Sequence, residues 1–426
     1  MEYHKPLCMM DTVVESEWRK KVMLAAANGS LCQWRSNVSA GQRLVFRDQT
    51  AWFLHIPRPG TISPGYADER VAIEVETIHL LRERTSIPVP EVHAWGLTKE
   101  NELGLGPFML TSPVDGVSLY TVFGMNPNVS RPLPEDIPDT NMEYLYRQMA
   151  KFMLELFEID FDEIGSLPTP RTKFPAPNRP VTTKANSIQR LGGVDILGDR
   201  ENGFSTSHEY LQYSHSQELE QLRCQPNSFA DRGSAESRYA ALKVLESLIP
   251  ELTMQLLGTA PSWLILGHPA EPLSSFPAGE DPKASERYFK YLDLFMRVLA
   301  EEEARSSGIH RGELSKLIRW SRDTGAMWFH MLLQAGFLDP SQVPFMQLRK
   351  HKGAEWWDDQ VAAYQKTEEV KEFVASKLEG LAAYDRTFAE AQVNKTLLDS
   401  GQITPREFIR RMTPLIAAGL QRPAEG

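Results

Sequence analysis

The sequence predicts an α+β protein, with a small strand-containing unit over residues 1–112 and a long, mostly helical region over 113–426. Three observations carry this. Two short apolar runs flank a polar turn near residue 50, which marks an antiparallel hairpin. Two closely spaced prolines force extended backbone just after the first strong helical stripe. From residue 141 onward, apolar groups recur at three- and four-residue intervals with one long interruption.

The elements follow in order. "QRLVFRDQTAWFLHIPRPG" reads as two strands joined at Asp48-Gln49. "ADERVAIEVETIHLLRERT" places Val71, Val75, Ile78 and Leu80/Leu81 on one helical face. "SIPVPEVHAWG" is extended, because Pro88 and Pro90 each disfavour helix in the residue before them. "GPFMLTSPVDG" is a buried strand running into a turn. "NMEYLYRQMAKFMLELFEI" carries a stripe through Leu145, Met149, Phe152/Met153 and Leu156. Residues 165–232 are rich in Pro, Ser, Asn and Gly, and they read as a long irregular insert. Four helical segments come next, at 236–249, 285–304, 314–336 and 367–392. A last one, "TPREFIRRMTPLIAAGL", has Thr404 as N-cap and Pro405 at its first helical position. Aromatic and Met stripes at this spacing are assigned to the core.

Composition narrows the function classes. Lys+Arg 46 against Asp+Glu 56 gives a net charge of −10. That argues against a general binder of nucleic acid or of anionic membranes. Cys8, Cys32 and Cys224 are odd in number and form no C-x-x-C, so neither a disulfide framework nor a zinc site is expected. The N-terminus has no apolar core of signal-peptide length, and no run approaches a membrane span. The expected setting is a reducing, cytoplasmic one, and the N-x-S/T tripeptides at Asn28, Asn37, Asn128 and Asn394 read as chance matches.

"IPRPGT…DERVAIEVETIHLLRERTSIPVPEVHAWG…GLGPFML" resembles a large fungal branch of the aminoglycoside-phosphotransferase-like family. The resemblance resumes at "YLYRQMAKFMLELFEIDFDEIGSLP", at "APSWLILGHPAEP" and through to "AAYDRTF", so it covers most of the chain. It implies a bilobal protein-kinase-like fold, with a small β-rich N-lobe and a large, mostly helical C-lobe. In such a lobe a hairpin covers the phosphates of ATP, a basic strand residue contacts them, and a helix Glu holds that residue. The resemblance puts His55 at the basic position and Glu74 at the helix acid. It puts "RSNVSAG" at 35–41, with the single glycine Gly41, in the phosphate-covering turn. Histidine lacks a permanent charge at neutral pH, and a turn poor in glycine approaches phosphate less closely. Arg58, just past the strand, is a second source of charge.

Phosphoryl transfer also needs a catalytic Asp, an Asn five residues later and a second Asp, the last two holding magnesium. No Asp-x4-Asn exists in the C-terminal half, where Asn394 is the only Asn after Asn227. Asp136 and Asn141 match the spacing, and Asp160 and Asp162 imitate a magnesium strand, but a helix lies between the pairs; these read as solvated acids flanking that helix. Only "LTMQLLGTA" separates the helix at 235–251 from "APSWLILGHPAEP". The catalytic segment is therefore missing near 250–261, and His268 is a loop residue beyond the gap.

No H-E-x-x-H, metal-ligand histidine spacing or G-x-S-x-G is present. Gly104 and Gly106 form a turn with no helix behind it. Trp356-Trp357-Asp358-Asp359, near "LRKHKG", reads as a packed surface loop. The function expected is that of a pseudokinase, with no catalytic residue and no metal site. His55 and Glu74 would be remnants of the nucleotide site, and a small molecule or protein would occupy the interlobe cleft. No cofactor is expected in this form, but ATP and magnesium are if the family activity is retained. The alternative is an active phosphotransferase whose catalytic exon is absent.

Overall fold

The computed structural model describes residues 3–27, 41–123, 137–253, 282–335, 340 and 343–419. It is a mixed α+β protein, mostly helical, with one four-stranded antiparallel sheet. The strands are β1 (Gly41–Val45), β2 (Ala51–His55), β3 (Val92–Gly96) and β4 (Phe108–Thr111), ordered β1-β2-β4-β3 across the sheet. The predicted hairpin is β1–β2, with Arg43 opposite Phe53 and Leu44 opposite Trp52. Its turn closes where expected: Asp48 accepts from the backbone and hydroxyl of Thr50, and Gln49 takes a φ of +70°.

Helix α1 (Lys5–Ala27) covers one face of this sheet and α2 (Ala67–Arg84) the other. Val71 and Val75 of α2, with Ile78, pack on Met109, Val92 and Trp95. On the opposite face Leu44, Leu54, Ile56 and Leu105 meet Trp18, Val22 and Ala25 of α1. The Trp18 indole donates to the Leu105 carbonyl at 2.9 Å. No helical stripe forecast α1, and its burial explains why. The first half packs Leu7, Met10 and Val13 against the last helices of the chain, whereas the second half turns a different set of residues to the sheet.

After a short turn of helix, α3 (Leu119–Val122), the helical body begins with α4 (Asp139–Phe157), which pairs with α8 (Pro282–Arg305). Tyr146 of α4 meets Phe295 of α8 edge-on, with ring centroids 5.7 Å apart. Both rings are fully buried, and burial of this kind is worth about 2 kcal/mol per side chain. The stretch 165–232 differs from the expectation of wholly irregular chain. It contains α5 (Thr183–Ser187) and the long α6 (Ser207–Cys224), capped by Thr206. Beside Leu211 and Leu222, the buried positions of α6 are Ser214, His215, Gln217, Glu218 and Gln221, so its packed face is mostly polar.

Helix α7 (Arg232–Leu252) runs through the centre of the body, entered by a capping box between Asp231 and Ser234. The apolar segment at 314–336 is two helices rather than one, α9 (Glu313–Asp323) and α10 (Ala326–Ala335). They are separated at Gly325, whose φ of +77° ends helical geometry. Then come α11 (Val343–Lys352), α12 (Ala354–Gln365), α13 (Glu368–Asp399) and α14 (Pro405–Gly419). Thr404 caps α14 as expected, accepting from the backbone of Glu407. The Trp356-Trp357 pair lies on helix α12, not in a loop: Trp357 is buried against Phe345, and Asp358 pairs with Arg349.

Two buried features generate tests. Lys184 of α5 reaches Glu218 of α6 at 3.0 Å and donates to the carbonyls of Ser214 and Leu333. Both side chains are almost wholly buried. Removing one member strips the other of its countercharge in a dry site. Lys184→Met is therefore expected to destabilise by about 3 kcal/mol, and adding Glu218→Leu should recover most of it. Urea unfolding of the two variants checks this; equal losses in both would contradict it.

Burial also pushes His4 and His330 down to about 4. His4 is held in its neutral form, because its Nδ1 accepts from the backbone of Leu7 at the start of α1. Each histidine binds fewer protons folded than unfolded between pH 4 and about 6.5. Their contribution is therefore complete above about 6.5 and is lost as pH falls, the loss reaching about 2 kcal/mol each at pH 5. His330→Met should remove that share of the difference between denaturation at pH 7.5 and at pH 5. An unchanged difference would show that His330 does not contribute.

Candidate functional site

Strand alternation and helix phase bring the two predicted site residues together. In β2, Phe53 and His55 point to the α2 face, paired with Thr111 and Met109 of β4, while Leu54 points to α1. In α2, the turn that sends Val71 and Val75 into the sheet places Glu74 at its margin, beside the end of β2. His55 Nδ1 lies 3.8 Å from Glu74 Oε1, and both side chains are partly exposed. That distance is an ion pair only when the imidazole is protonated, and it is too long for a firm hydrogen bond.

Arg43 of β1, opposite Phe53, is exposed on the same face of the sheet as His55. Arg58, the second basic candidate, turns to α1, where its Nη1 pairs with Glu15 at 3.2 Å. Gly41 stands opposite His55 in the ladder, so the turn before β1 leads directly to the site. Residues 35–40 of that turn lie outside the described residues. Phe53, two residues before His55 on the same face, is exposed despite its size, as is Val45 on β1. Reading for charge alone missed this apolar border; strand alternation from His55 would have found it.

The acids that match catalytic spacing are not gathered here. Asp136 lies outside the described residues, and Asn141 sits in the first turn of α4. Asp160 and Asp162 follow the end of α4 and are exposed. Asp160 has a protein partner, His310 Nε2 at 3.2 Å, whose Nδ1 lies 3.2 Å from Glu313. Burial opposes charge on that imidazole, but the carboxylates of Glu313 and Asp160 outweigh it and raise the His310 pKa. His268, Cys32 and residues 254–261 of the expected gap are also outside the described residues. Cys8 and Cys224 are half-buried, and the Cys224 thiol donates to Glu220 at 3.1 Å. Gly104 and Gly106 take φ of +63° and +101° in the turn before β4, closed by Asn101 donating to the Gly106 carbonyl.

Among the described residues no three His, Cys, Asp or Glu side chains form a group that could hold a metal ion, and no helix is long and apolar enough to cross a membrane. Among the described residues the site offers one titratable base against one carboxylate, with the exposed Phe53 and Arg43 on the same face of the sheet. No protein-family model matches the chain, and no curated protein or solved structure gives a significant match.

Proposed function

We propose that the chain is a kinase-fold pseudoenzyme of the aminoglycoside-phosphotransferase-like kind, which binds a small molecule or a protein in the cleft between its two lobes and does not transfer phosphate. The observation that carries this is His55 facing Glu74 at 3.8 Å, where the resemblance calls for a permanently charged base. Two strands, a helix bearing an acid, and two more strands in one antiparallel sheet is the layout such a lobe uses to seat base against acid. In this reading the sheet with α2 is the small lobe, and the helices from α4 onward are the large one. The C-terminal half offers no Asp-x4-Asn to orient an acceptor and hold magnesium. The exposed Phe53 and Val45 would present apolar surface to whatever enters.

The pseudoenzyme reading predicts that ATP with magnesium, up to millimolar concentration, leaves the melting temperature of the purified protein unchanged. A saturable rise would mean that the small sheet still takes nucleotide, since any ligand of the folded state stabilises it by mass action.

A second reading, an active phosphotransferase lacking its catalytic exon, is favoured by the abruptness of the gap: gradual decay would leave remnants, and only "LTMQLLGTA" lies there. The substitution at His55 disfavours it, because loss of an exon would not alter the sheet. The native transcript across the codons for Leu248 to Trp263 decides between the two. The pseudoenzyme reading expects an uninterrupted match to this sequence, and an in-frame segment carrying His-x-Asp-x4-Asn would overturn it.

A further inference from the structure

Helix α2 has a second buried face. Glu69, Glu76 and Glu83 are spaced by seven residues, so they form a stripe along the side of the helix away from Val71 and Val75. All three engage one distant stretch of chain. Glu76 Oε1 accepts from the backbone of Arg171 at 3.0 Å, the backbone of Thr172 at 2.7 Å and the Thr172 hydroxyl at 2.9 Å. Glu83 pairs with the Arg171 guanidinium. Glu69 accepts from the backbone of Val181 at 3.2 Å and pairs with Arg200.

The same stretch also fastens the loop that leads into α2. Asn186 accepts from the backbone of Ser63 at 2.9 Å and donates to the Thr61 carbonyl at 3.0 Å. It is anchored to the helical body in turn through Lys184, which reaches Glu218. The stretch closes on itself as well: Arg200 donates to the Arg179 carbonyl, and the Arg179 backbone donates to the Arg200 carbonyl. Glu69, Glu76 and Thr172 are buried, so these contacts are not incidental surface pairs.

From this geometry we infer that residues 171–200 form a clasp on the outer face of α2. The clasp fixes Glu74 relative to His55, and its release is the step that would let α2 move. The inference does not rest on the nucleotide reading, because the clasp's contacts with α2 itself, at Glu69, Glu76 and Glu83, lie on the side remote from His55. A carboxylate accepting three hydrogen bonds from one short turn is a specific lock; it needs an acceptor oxygen at position 76 but not a charge. A helix held only by the sheet would exchange its amides faster than one held on both sides.

Hydrogen exchange on the full chain tests this, with Glu76→Ala and Glu76→Gln compared with the native protein. The clasp predicts that Glu76→Ala speeds amide exchange across residues 67–84 and 171–186 by about tenfold, with α4 and α8 unchanged. It also predicts that the ring resonances of His55 shift in Glu76→Ala, as Glu74 moves. Glu76→Gln, which keeps an acceptor oxygen, should return both readouts near native. Unchanged exchange in 67–84, or an increase spread equally over α4 and α8, would overturn the clasp. Should Glu76→Ala fail to fold, Thr172→Val removes one of the three donors. About threefold faster exchange confined to 67–84 and 171–186 is then expected, and no increase would overturn the inference.

Discussion

The sheet depends on being covered on both faces. Its four strands are only four or five residues long, and a sheet of that size is marginal in water unless helices pack on it. Helix α1 supplies one cover and α2 the other, so the position of His55 in β2 and that of Glu74 in α2 are set by the same packing. Helix α1 does more than cover. Its first half lies on Ala391, Phe408, Met412 and Ile416 of α13 and α14, so the chain's first helix fastens the sheet to the C-terminal helical pair. The contacts at its N-terminal end reinforce this: the backbone of Lys5 donates to the Tyr384 hydroxyl, and the His4 backbone to the Leu191 carbonyl.

This arrangement holds a chemically weak pair in a well-defined place. A guanidinium or ammonium beside Glu74 would carry its charge at any physiological pH, whereas an imidazole does so only when protonated. At 3.8 Å and partly exposed, the pair is screened and supplies little energy of its own. On the same face stand the exposed Phe53 and, on β1, Arg43 and Val45. A base charged only when protonated is less suited than a guanidinium to neutralising several phosphate charges, and that is the physical ground of the proposal that the protein binds without transferring phosphate.

The parts that were legible in the sequence are those whose local pattern and tertiary role coincide. The hairpin at Asp48-Gln49, the Val71–Val75–Ile78 face and the Thr404-Pro405 start of α14 each follow from local rules, and each is used as those rules imply. The pairing of His55 with Glu74 came from the family resemblance, since nothing local links a strand residue to a helix residue nineteen positions on. Helix α1 was illegible because its two halves bury different faces, which leaves no single stripe. Helix α6 was illegible because it packs through Ser, His, Gln and Glu, partnered by Lys184, the Leu242 carbonyl and Gln225. Lys184 is remote in sequence and Leu242 acts through its backbone, so apolar periodicity had little to register. The α9–α10 break shows the reverse error: the apolar pattern continues through Thr324-Gly325, but the backbone does not.

The central claim is that this chain binds and does not transfer phosphate. The most direct measurement is release of labelled phosphate from ATP by the purified protein with magnesium, against a heat-inactivated control and over a broad set of hydroxyl-bearing acceptors. The account predicts turnover indistinguishable from the control under every condition. Magnesium-dependent turnover that scales with protein concentration would contradict it, and would mean that acids other than an Asp-x4-Asn set perform the chemistry.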